Sequence, residues 1–379
     1  MRFPEFEGEW EKCKLGDIAT GFDYGMNAPA KVFDGVNKYI RITDIDEASS
    51  TYNDSDIVSP DGTLTDTYLV NERDILLART GASTGKSYLY KKTDGKLYFA
   101  GFLIRANVPE HNPYFVFSQL HTHRYWKWVS IMSARSGQPG INSQEYSTFP
   151  IYTTSIQEER KISKLLSLLD ERIATQIKLI EKLESLIKGI VDCTILRKEK
   201  NAIVGDVCSI SEQIRAEANI DDIITVRLHG NGVCKSSAEN LQLGATQYYR
   251  RRAGQLIYGK QNFHNGAIGI VPISLNNGIT SKDIPSFDID EMKCNSVYLL
   301  AQLQSPQYYK PAEALTTGTG SKRLKEETFL KMPIVLPNKR EQDNIAVLIH
   351  RASMNLDHAK RLLELLSIQK QFLLRQMFI

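Results

Sequence analysis

The stretch "FPIYTTSIQEERKISKLLSLLDERI", Phe149 to Ile173, returns later in the chain as "MPIVLPNKREQDNIAVLIHRA", Met332 to Ala352. Each copy opens on a short β-type run and passes into a long amphipathic pattern. Pro150, Ile151, Glu158 and Ile162 fall on Pro333, Ile334, Glu341 and Ile345 at a constant offset of 183 positions. The register holds without a gap back to Asn112 over Asn295. It carries further identities at Gln119/Gln302, Leu120/Leu303, Tyr125/Tyr308, Lys127/Lys310 and Gly137/Gly320. Chance would scatter such matches over many offsets, whereas an internal repeat puts them on one.

Before this stretch, each half carries a glycine-containing polar loop, "SARSGQPGIN" or "TTGTGSKRL". Earlier still comes a helix start, with Asn112 capping Pro113 in one half and Asn295 playing the same part in the other. The first part of each half is strand-rich, with β-branched and aromatic runs and turn signals such as "HGNG" and "LNNG". There "ERDILLARTGASTGKSYLY" lies over "AGQLIYGKQNFHNGAIGIV", with Gly85 on Gly266.

After the stretch, apolar residues recur in steps of three and four from Gln157 to about Thr194, at Ile162, Leu166, Leu169, Ile173, Ile177, Ile180, Leu183, Ile187 and Ile190. The second run, from Glu341 towards Met377, places Ile345, Leu348, Ala352, Leu356, Ala359, Leu363, Leu366 and Leu373 on one stripe, which Lys370 interrupts. Leu165, Leu168, Leu179 and Leu186 fall outside the first stripe. At 1.5 Å per residue each helix spans roughly 55 Å, longer than a small domain is wide, so the two are expected to pair in a coiled-coil-like manner. The fold class is therefore α+β: two similar globular domains in pseudo-twofold repeat, separated by two long antiparallel helices. The expected boundaries are 1–155 and 197–338 for the domains, and 156–196 and 339–379 for the helices.

A chain of 379 residues favours two domains. The balance of 47 basic and 44 acidic residues, net +3, is too mild to announce nucleic acid by itself. Five dispersed cysteines without a C-x-x-C pair read as reduced thiols of a cytoplasmic protein, with neither a disulfide framework nor a zinc site. No apolar run suggests export or a membrane span.

"RTGASTGKSY", Arg79 to Tyr88, ends in Gly-Lys-Ser like a phosphate-binding loop. Thr80 stands where that loop needs glycine, however, and "SYLYKK" reads as a strand where it needs a helix. A glycine-rich hairpin turn is the better reading, offering Thr80, Ser83 and Lys86 to a phosphate backbone. His121 and His123, two apart on a helix, cannot share a metal. "NPYF", Asn112 to Phe115, lacks the second proline of an amino-methyltransferase motif, and its counterpart "NSVY" lacks both.

Taken together, the module and helix order, "RDILLARTGASTGK", "SGQPGIN" and the Pro, Glu and Ile pattern opening each long helix resemble the specificity subunit of type I restriction-modification systems, over essentially the whole chain. The second copy departs from the family pattern with Asp343 and Asn344 where a basic residue is usual. The resemblance implies a non-catalytic protein with two target-recognition domains, each reading one half of an interrupted double-stranded DNA target. It implies two modification subunits docked on the helices, bringing S-adenosylmethionine to methylate adenines. Restriction subunits would add ATP- and Mg-dependent translocation and cleavage, with no cofactor in this chain and no membrane partner. The competing readings are a stand-alone nuclease or methyltransferase and a protein-binding scaffold.

Arginine and lysine recognise guanine and phosphate, and asparagine and glutamine can pair with adenine. The candidates for DNA contact in the first module are Arg41, Arg79, Thr80, Lys86, Arg135 and Gln138. In the second they are Arg250, Arg251, Arg252, Lys260, Asn262, His264, Lys322 and Arg323.

Overall fold

The computed structural model describes residues 2–47, 49–134, 139–236, 246–318 and 322–378. The chain divides into two compact units, Met1–Lys178 with Arg361–Ile379, and Leu179–Lys360.

The first unit is built on a four-stranded antiparallel sheet in the order Thr20–Tyr24, Leu103–Asn107, Asp74–Ala78, Ser87–Leu89. Its strand "DILLA" is buried along its whole length, because both faces of the sheet are covered. Successive side chains point to opposite faces. Ile75 and Leu77 accordingly join one apolar cluster with Leu15, Phe117 and Phe149, while Leu76 and Ala78 join another with Ile40, Tyr88 and Phe99.

The second unit repeats the plan, with Cys208–Ile210, Ser286–Ile289, Leu256–Tyr258 and Ile268–Ile270 in the same antiparallel order. Here Leu256 and Tyr258 face one cluster and Ile257 another. Around this shared sheet the units differ. The first adds a parallel pair, Lys38–Ile40 with Leu97–Phe99; the second adds a three-stranded sheet of Arg215–Ala216, Tyr248–Arg250 and Ile279–Ser281.

Each unit closes on a two-stranded ribbon that leads into a long helix, Glu11–Lys14 with Pro150–Thr153 and Ala202–Ile203 with Pro333–Ile334. The repeated glutamines explain themselves at this junction. The buried Gln119 donates to Tyr152 O at 2.7 Å and accepts from Tyr152 N at 2.9 Å; Gln302 does the same for Val335 at 3.3 and 2.8 Å. A side-chain amide that satisfies both main-chain groups of one residue spares roughly 1–3 kcal/mol for each such group that would otherwise be buried without a partner.

Asn112 and Asn295 cap their helices as expected, each accepting from two backbone amides. Their own amides are held by the next helix, Asn112 N by Glu159 at 2.7 Å and Asn295 N by Gln342 at 2.9 Å. The identical Glu158 and Glu341 have diverged. Glu158 is fully buried, and although burial opposes its charge, bonds from Arg2, Thr154 and Trp10 hold its carboxyl below the usual range. Glu341 is half exposed and pairs with Lys198. Asp343, the departure in the second copy, is bound by Lys339 and by the side chain of Asn295, both at 2.9 Å.

The long helices run over Ile156–Val191, continued by a π-helical turn Asp192–Leu196, and over Lys339–Met377. In the first unit Ile162 and Leu166 of one helix meet Leu374, Met377 and Phe378 of the other around Phe115. Lys370, which breaks the apolar stripe, reaches Asp170 at 2.7 Å, and Tyr114 donates to the same carboxylate. In the second unit Lys360 pairs with Glu184 at 2.8 Å. Within the first unit, as the first helix advances from Ile162 to Asp170 its partner recedes from Met377 to Lys370, so the two pack antiparallel there. One stripe position differs from expectation: Leu348 is 52% exposed and Ile349 is buried instead, because the helical period from Ile345 to Ala352 runs through 349.

Candidate nucleic-acid interface

In both units main-chain bonds draw the glycine turn and the polar loop together at the end of the buried central strand. Ile141 N donates to Arg79 O at 2.9 Å and Gly81 N to Pro139 O at 3.1 Å, with Thr80 bridging Gly140. In the second unit Leu324 N donates to Lys260 O at 2.9 Å, and Thr317 bridges Arg323. Arg79 and Lys260 are therefore equivalent.

The turn is not laid out as a nucleotide-binding loop: Thr84 N donates to Gly81 O, Gly85 N to Ala78 O and Lys86 N to Ser83 O, and a strand follows where such a loop needs a helix. Lys86 Nζ lies 3.2 Å from Glu47. Gly85 is a packing glycine: its φ is +92°, and a Cβ there would come within 2.8 Å of Val129 and 3.0 Å of the Trp126 ring. Its carbonyl accepts from Tyr125 at 2.8 Å. Gly266 repeats this, with φ +74° and a Cβ position 2.9 Å from the Tyr309 ring. The glycine shared by the two turns thus lets each press against a helix.

The remaining candidates scatter over different environments. Arg41 is held by Asp44 at 2.8 Å and by Asp56 at 3.4 Å. Arg79 lies over the Tyr24 ring, 4.7 Å from its centre. Arg135 and Gln138 lie outside the described residues. In the second unit Lys260 pairs with Glu326 at 2.7 Å, Arg323 with Asp283 at 3.2 Å and Lys322 with Glu313 at 3.3 Å. Asn262 and His264 share the turn with Lys260; Asn262 accepts from the side chain of Asn265 at 3.2 Å, and His264 has a buried Nδ1 without a hydrogen-bond partner.

The three consecutive arginines separate. Arg250 is exposed, and Arg252 reaches Asp288 at 3.7 Å. Arg251 is fully buried, donating to Thr280, Gln213, Ser286 and Ile284 O, which makes it a scaffold residue and removes it from the accessible surface. Burial among these neutral acceptors pulls its pKa down to about 10.

Tyr24 belongs to this surface and was not among the expected residues. A bulge at Phe22, with φ +59° and a register shift between Gly21 and Asp23, re-aims the end of its strand. The Tyr24 hydroxyl accepts from Ser143 N at 3.2 Å, tying the strand to the far end of the polar loop. The alternation of "TGFDY" gives no hint of the bulge. Among the described residues no group of side chains is arranged to hold a metal ion, and no helix is long and apolar enough to cross a membrane.

Residues 7–185 match the type I restriction modification DNA specificity domain. The type I restriction enzyme MjaVIII specificity subunit of Methanocaldococcus jannaschii is 21% identical over 381 residues, covering 91% of this chain and 86% of that protein. The type I restriction-modification system S subunit from M. genitalium shares the fold with a TM-score of 0.66 at 13% identity, over 98% of this chain and 96% of that one. A chain solved in work on complex assembly and conformational transition of the type I R-M system gives 0.50 at 13% identity, over 97% of each. The first unit thus carries a match to a type I restriction modification DNA specificity domain, and nearly the whole chain is similar to a type I specificity subunit and shares the fold of such subunits.

Proposed function

We propose that residues 1–155 and 197–338 are two target-recognition domains, each reading one half of an interrupted sequence in double-stranded DNA. Residues 156–196 and 339–379 are the helices on which two modification subunits and the restriction subunits assemble. The observation that carries this reading is the repetition, in both units, of one sheet order and one turn-to-loop junction bearing polar and cationic side chains. Lys86, Arg79, Thr80 and Arg41 serve the first half-site; Lys260, Asn262, His264, Lys322, Arg323, Arg250 and Arg252 serve the second. Phosphate contacts set register, and contacts to base edges set sequence. The chain makes and breaks no bond. It lowers the free energy of the assembly on one sequence relative to all others. S-adenosylmethionine, ATP and Mg belong to the partners. Leu165, Leu168, Leu179 and Leu186, all exposed on the first long helix, suit burial by a docked subunit.

The test exchanges residues 1–155 for the matching part of a relative, keeps both helices, and maps methylated adenines in cells carrying the assembled system. One half of the target should change and the other persist. A change in both halves, or in neither, would count against two independent readers.

A further inference from the structure

Among the described cations of the first unit's interface Arg79 stands apart, and we propose that it reads a guanine base in the major groove of the first half-site. This deepens the DNA-specificity reading and rests on it. Arg41 is engaged by Asp44 and Asp56, Lys86 by Glu47 and Arg105 by Asp23. The Arg79 guanidinium has no hydrogen-bond or ion-pair partner among the described residues, yet it is not loose. Its main chain is pinned on both sides, N to Phe102 O at 3.0 Å and O from Ile141 N at 2.9 Å. Its charge lies 4.7 Å from the centre of the Tyr24 ring, which is itself fixed through Ser143.

A guanidinium held over an aromatic face keeps its N–H donors available, in a rigid fork that an acceptor pair can meet with little loss of side-chain entropy. In the major groove, guanine offers such a pair in O6 and N7, the commonest partner of arginine. The second unit supplies an internal contrast. At the equivalent place stands Lys260, and it is captured by Glu326, whose counterpart at the offset of 183 is Ser143. Where the second unit neutralises its cation with a carboxylate, the first leaves its arginine uncompensated and seats it on a ring.

The experiment uses the full chain assembled with its modification subunits. The wild-type target is mapped first, and the first half-site is identified by the domain exchange. Duplexes in which each guanine of that half-site is replaced in turn by 7-deazaguanine are then compared for binding at fixed salt. One replacement, which removes N7 and leaves O6, should weaken wild type by roughly 10- to 100-fold, the range of one lost hydrogen bond from a charged donor. Arg79→Ala and Arg79→Met, the second keeping apolar contact with Tyr24, should be indifferent to that replacement while responding normally to changes in the other half-site. That retained response shows the variants are folded. The assignment is overturned if the variants still discriminate at every guanine as wild type does, if they weaken all duplexes equally as loss of a phosphate contact would, or if the half-site contains no guanine. A wild-type assembly with no sequence preference at all would instead sink the DNA-specificity reading beneath it.

Discussion

His121 shows how a single side chain can set a pH limit on the first unit. Its Nδ1 lies 2.9 Å from Phe117 O and its Nε2 2.9 Å from the Ser50 hydroxyl. A carbonyl can only accept, so Nδ1 carries the proton and Nε2 accepts from Ser50, which describes a neutral ring with both nitrogens satisfied. Burial first, and then the charge of Lys370, pull its pKa down to about 4. The unfolded chain takes up this proton near the ordinary value of about 6.5. The contribution is therefore complete above that value, is lost progressively as pH falls towards about 4, and changes no further below it. Urea unfolding of wild type and His121→Gln at a series of pH values from 7 to 4 should show a steeper loss in wild type. Parallel curves would mean that His121 does not titrate in this way. Arg251 is the opposite case: a charge kept inside by four neutral acceptors, indistinguishable by sequence from the exposed arginines on either side of it.

The glycine turn is the element whose role the structure assigns most sharply. Gly85→Ala places a Cβ at a positive φ and 2.8 Å from Val129, which should cost about 1–3 kcal/mol in chemical denaturation. Lys86→Ala, which would disable a nucleotide loop, removes only a partly exposed pair with Glu47 and should cost about 1 kcal/mol or less. A Gly85→Ala variant as stable as wild type would show that the turn is not packed as described.

The elements that were legible in the sequence had a strong local cause. "DILLA" and "SYL" are strands between turn signals, Asn112 and Asn295 are caps with an unambiguous partner, and the long stripes run at the helical period. What could not be read depends on neighbours distant in sequence. The bulge at Phe22 reorients a strand, the stripe takes Ile349 rather than Leu348, and a carboxylate opposite Lys260 is matched by a serine opposite Arg79. Candidate cations could be chosen by residue type, but which of them carry an acidic partner is a tertiary fact.

At the scale of the molecule, both long helices contribute to both units, so a change in helix length must be made in each. On the proposed function, four residues inserted after Gln176 and four after Leu365 add about one turn, or roughly 6 Å, to both helices. The mapped target should keep its two half-sites and gain one or two unspecified base pairs, at about 3.4 Å per pair. An active insertion variant with an unchanged gap would show that something else sets the distance. The same sharing has a consequence for synthesis. The cluster of Phe115, Ile162 and Leu166 is closed by Leu374, Met377 and Phe378, which leave the ribosome only after residues 179–360 have been made. At roughly 5–20 residues per second, that interval is about ten to forty seconds. During it the nascent first unit exposes an apolar surface whose natural cover does not yet exist, and a chain cut short by a late stop codon would leave that surface bare for good.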